Sequence, residues 1–242
     1  MKKTLVAVIL ACAAATAGAQ VQTAGQAAGP SRVIDNVMVA MYDAPGTGEM
    51  IVQYVRDNGV SVAFDARVPG RSGHATDAKT GKSMIGINPS YQQEPVSYRR
   101  IAARIAKEAA ELMLADFPES AEKRYIAASR MAETYFELGG TRIDMQNVDG
   151  VVDPEAEKLV FLWVENAPDE GVRVLKGQGA QTLDERIAWV TKERQEMINY
   201  SMTDWEEIYT RELEQLHSAK AQFQQFKKYE TDWLMSHSSQ LQ

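Results

Sequence analysis

The chain has 242 residues, a formal charge of −7 and a single cysteine. An acidic balance with scattered basic residues lacks the electrostatic footprint of a nucleic-acid binder or of a protein held on an anionic membrane. One cysteine allows no internal disulfide, so stability must come from a packed core, and a chain of this length can bury one.

Residues 1–19 read as a secretory leader: Lys2 and Lys3, an apolar run over 4–11, then Ala17-Gly18-Ala19 as an A-x-A cleavage site. The apolar run is too short to anchor the chain across a bilayer. A second reading stays open, because Ile9-Leu10-Ala11-Cys12 resembles a lipobox whose cysteine would be lipidated. Leu10 is large for its place in that box, which favours cleavage after Ala19. Losing Lys2 and Lys3, with no acid among the first 19 residues, takes the charge from −7 to −9. The expected location is periplasmic or secreted, with a membrane contact only if Cys12 is lipidated.

Residues 20–30 are small and polar and read as a linker. The apolar stretch 33–41 predicts a strand or a short buried segment. Thr47 is placed to cap a helix that runs through Met50, Ile51, Tyr54 and Val55 and stops at Asn58-Gly59. Strands are predicted over 60–64 and 83–88, with a polar loop over 67–82 between them. Two helices follow, over 97–116 and 119–138, broken at Phe117-Pro118 and stopped by Gly139-Gly140. Beyond them come a helical piece over 154–166 and a loop at Lys176-Gly177-Gln178-Gly179.

The last quarter reads as helix. Thr182–Glu185 and Thr203–Glu206 both fit the capping box, in which a hydroxyl and a glutamate satisfy free backbone N–H groups. From the second box an apolar stripe runs Trp205, Tyr209, Leu216, Ala219, Phe223, Phe226, Trp233, interrupted by Glu212 and Glu230. It is too short and too interrupted for a sustained coiled-coil seam.

The helix over 97–116 carries the chemistry. Successive residues advance about 100°, which gathers Ile101, Ile105, Ala109 and Leu112 on one side. Arg100, Arg104, Lys107 and Glu111 gather on the other, with Glu108 on the boundary. Arg104–Glu108 and Lys107–Glu111 are one turn apart, as ion pairs of an ordinary amphipathic helix would be.

Lys107-Glu108-Ala109-Ala110-Glu111 also has the frame of the zinc-protease motif H-E-x-x-H without its histidines. With the order helix, strand, loop, strand and motif helix before it, the stretch from Thr47 to Gly140 resembles the N-terminal half of zincin metallopeptidases. The resemblance implies an α+β domain over 31–140 with a helical extension over 141–242. It places Glu108 at the catalytic glutamate, Lys107 and Glu111 at the histidine positions, and Glu133 of the next helix at the third ligand. An ammonium has no lone pair for zinc, so the frame is expected to be vestigial and without a metal or other cofactor. Lys107 is then expected to stand in the metal's place and pair with Glu111, Glu133 or both.

His74 lies in the 67–82 stretch and is the histidine placed to approach a cleft; His217 and His237 are not at ligand spacing from it or from each other. No G-x-S-x-G, P-loop or G-x-G-x-x-G is present, and Asp144, Asp149 and Asp153 do not fit a calcium loop. The expected function is a pseudo-peptidase that binds a protein or peptide in the cell envelope. The alternatives are a hydrolase using His74, Glu111 and Glu133, and a structural protein assembling through its C-terminal helices.

Overall fold

The structure, a computed structural model, describes residues 30–68, 70–93, 97–141, 165, 167–239 and 241. The leader, the linker but for Pro30, the acidic turn at Asp144, Asp149 and Asp153, and nearly all of the helical piece over 154–166 lie outside the described residues. Among the described residues the chain is α+β, with seven α-helices, one three-stranded sheet and a helical C-terminal region. None of these helices is long and apolar enough to cross a membrane. Two compact units divide the chain. One runs through Ala106 and includes Glu133–Leu138; the other holds Lys107–Ala132 and continues from Gly139.

The first unit opens with α1 (Pro30–Asp43), which corrects the expectation of a strand over 33–41. Ile34, Val37 and Met41 are the buried positions. Their spacing of three and four is helical, and that period outweighs the apolar run. Next come α2 (Thr47–Asp57) and β1 (Ser61–Phe64), separated by Gly59 at φ 60°, the left-handed stop expected there.

The expected loop over 67–82 is corrected in part, because residues 72–76 form a strand. β2 (Ser72–Thr76) pairs antiparallel with β3 (Ser83–Ile87), setting His74 opposite Ile85, and β1 joins β3 in parallel. The sheet order is β1-β3-β2, so β2 is an edge. Its sequence, SGHAT, shows no apolar alternation because an edge strand with exposed side chains needs none. The hairpin that makes it is visible in its turn. The Asp77 carboxylate accepts N–H bonds from Lys79 and Thr80, both 2.8 Å, and Gly81 takes φ 68°. The Thr80 and then the Lys79 amide hold the Asp77 carboxyl below the usual carboxylate range.

The motif helix α3 (Ser97–Met113) belongs to this unit as far as Ala106 and buries Ile101 and Ile105. Together with Ile51, Ile85, Ile87 and Phe136 they make up much of the unit's apolar core.

In the second unit α4 (Ala121–Glu137), up to Ala132, is followed by α5 (Pro168–Gly177), α6 (Leu183–Asn199) and the 34-residue α7 (Thr203–Ser236). Tyr125 of α4 meets Phe223 of α7 edge-on at 6.3 Å, and Phe223 stacks on Phe226 at 6.3 Å. The capping box at Thr182 and Glu185 forms as expected. The second box does not. Met202 is the residue before α7, no side chain caps it, and Glu206 is engaged by Arg194 of α6 at 3.2 Å. The stripe on α7 is buried from Leu216 to Trp233, and Glu230 lies within it, fully buried, accepting the Ser129 hydroxyl at 2.8 Å. A carboxylate inside an apolar stripe is tolerable only with such a donor.

Candidate functional site

The frame residues sit on the second half of α3. Lys107 Nζ lies 2.8 Å from Glu111 Oε1 and 3.3 Å from Glu108 Oε1. One ammonium therefore serves two carboxylates, one residue and one turn further along the same helix. Exposure is uneven: the Glu108 side chain is 3% exposed, Glu111 25% and Lys107 31%. The helical period explains this, since Glu108 is adjacent to the apolar stripe and Lys107 and Glu111 flank it. The Lys107–Glu111 pair is the i,i+4 pair expected from the sequence.

Glu133, expected from the sequence at a third ligand position, is fully buried on α4. Its Oε2 accepts the Thr47 hydroxyl at 2.5 Å. One turn on, Glu137 accepts the backbone N–H groups of Thr47 and Gly48, each at 2.9 Å. Two α4 carboxylates thus complete the start of α2, where free N–H groups and the helix dipole favour negative charge. This corrects the expected Thr47 cap: its hydroxyl is turned to Glu133, and α2 has no local side-chain cap. Gly46 makes the approach feasible. It holds φ 126°, and a Cβ there would come within 2.5 Å of Glu137 Oε1. Glu137 went unrecognised in the sequence, where only the glycines flanking Thr47 hint at a close approach.

His74 is exposed on β2. His237 stacks on Trp233 at 3.9 Å and His217 is exposed on α7.

The residues at the ligand positions expected from the sequence do not fit a zinc ion. Lys107 supplies a charge of the same sign as the metal and no lone pair, and its N–H groups engage one oxygen each of Glu108 and Glu111. No protein-family profile matches the chain, and no curated protein or solved structure is found similar to it.

Truncating Lys107 measures how much the ammonium matters. Lys107→Ala is expected to lower stability by roughly 1–2 kcal/mol, between the small value of an exposed pair and the larger one of a buried pair. Urea unfolding beside wild type checks this. A shift within error would mean that α3 is only an amphipathic helix with a decorated surface.

Proposed function

We propose that the chain is an exported, non-catalytic binding protein of the cell envelope, built on a zincin-like frame that has lost its metal. The observation that carries the reading is the Lys107 ammonium between Glu108 and Glu111. Acids gathered around an empty metal position repel one another, and a fixed cation relieves that repulsion without any Lewis-acid capacity. A frame balanced in this way has no means to lower the pKa of a water molecule, so its remaining use is to hold a protein or peptide. Export rests on the leader pattern over residues 1–19.

A second reading, a hydrolase with unusual ligands such as His74, Glu111 and Glu133, draws support from the adjoining carboxylates Glu108 and Glu111 on α3. It requires Lys107 to give up both carboxylates. One experiment separates the two. Protein purified from its native envelope is expected to begin at Gln20, to carry far less than one zinc per chain by elemental analysis, and to leave peptide substrates intact. About one zinc per chain together with peptide hydrolysis, both lost in His74→Ala, would establish the second reading instead.

A further inference from the structure

Six of the ten large apolar side chains that are exposed among the described residues lie between positions 189 and 208: Trp189, Ile198, Tyr200, Met202, Trp205 and Ile208. All but Trp189, which lies in the first half of α6, gather toward the tip of the α6–α7 hairpin, with Tyr200 the most open at 72%. Trp205 and Ile208 are three apart and so share a face of α7. The tip is built rather than frayed. Ser201 turns the chain at φ 57°, and the Met202 amide reaches back to the Met197 carbonyl at 2.9 Å. Arg194 ties α6 to Thr210 at 2.8 Å and to Glu206 at 3.2 Å. A clustered apolar surface on an ordered element marks a contact site more often than chance exposure does, and tryptophan and tyrosine are the side chains that dominate such contacts.

Charge selects the occupant. Residues 193–214 contain seven acids and two arginines, a net of −5. Both arginines spend their charge inside the hairpin, Arg194 on Glu206 and Arg211 on Glu207. Glu193 and Asp204 have no ion pair among the described residues. A second copy would bring the same negative field, and an anionic bilayer would be repelled likewise.

We propose that the hairpin tip docks a cationic amphipathic protein segment, with apolar side chains on Tyr200, Trp205 and Ile208 and lysines or arginines facing Glu193 and Asp204. The inference rests on the reading of the chain as a binding protein and gives that reading a surface and a partner chemistry.

The test uses the full mature chain and a fluorescently labelled 18-residue helical peptide of leucine and lysine, followed by anisotropy. Binding is expected to weaken at least tenfold in the Tyr200→Ser, Trp205→Ser, Ile208→Ser triple variant. The charge reversal Glu193→Lys with Asp204→Lys, which leaves every apolar contact in place, is expected to weaken it comparably, as is raising the salt. Equal binding of the triple variant, or of a peptide with glutamate in place of lysine, would overturn the proposal. So would self-association, or binding to phosphatidylglycerol vesicles, that disappears in the triple variant. The zinc and hydrolysis measurements fail or succeed independently of these, so loss of the tip would leave the non-catalytic reading standing.

Discussion

Thr47→Val is expected to destabilise the protein by roughly 2–4 kcal/mol, more than its loss of a single hydroxyl suggests. Valine has nearly the same shape, so packing is little disturbed. The cost falls on Glu133, which is fully buried and would lose the 2.5 Å hydroxyl bond to its Oε2. A buried carboxylate that loses one of its donors keeps its desolvation penalty with less compensation, which is why one-sided removal costs so much. Glu133→Gln provides the control. With a neutral amide in place of the charge, adding Thr47→Val should cost only about 1 kcal/mol. Urea unfolding of the four proteins closes the double-mutant cycle. Equal costs in both backgrounds would show that the Thr47–Glu133 contact carries no charge-dependent stabilisation.

Gly171→Ala should lower stability by about 1–2 kcal/mol, although alanine is the better helix former. Gly171 is buried on α5, and a Cβ there would lie 2.2 Å from Cε2 and 2.6 Å from Cδ2 of Tyr125. That ring is 1% exposed and rests edge-on against Phe223, so it has little room to retreat. Overpacking of this kind costs typically 1–3 kcal/mol, against about 1 kcal/mol gained from helix propensity. Thermal unfolding checks it, and the compensating Tyr125→Leu in the same chain should recover part of the loss. An alanine variant as stable as wild type would mean that α5 shifts freely over α4.

Much of the architecture is legible in the sequence because its signals are local. Gly59 ends α2, Phe117-Pro118 separates α3 from α4, and Thr182 with Glu185 starts α6, each through chemistry contained within a few residues. Three of the misreadings share one cause. Thr47 looks like a cap, but its hydroxyl is claimed by Glu133, 86 residues away. Thr203 and Glu206 look like a box, but Arg194 on the neighbouring helix takes the glutamate. β2 is made by its hairpin and by β3, not by its own pattern. In α1 the local signal was present, and the apolar run over 33–41 obscured the helical spacing of Ile34, Val37 and Met41. The candidate site divides the same way. Lys107 with Glu111 follows from helical spacing, whereas Glu137 at the start of α2 is invisible until the chain is folded.

Glu137 also bears on the order in which the chain can fold. The Thr47 and Gly48 amides bond a carboxylate 90 and 89 positions further along the chain. Contacts of such long sequence separation close late, because the loop entropy must be overcome before they contribute anything. During synthesis the start of α2 lacks these two bonds until residue 137 has been made. Completion of α2 is thereby tied to completion of α4, and the two helices gain their final stability together.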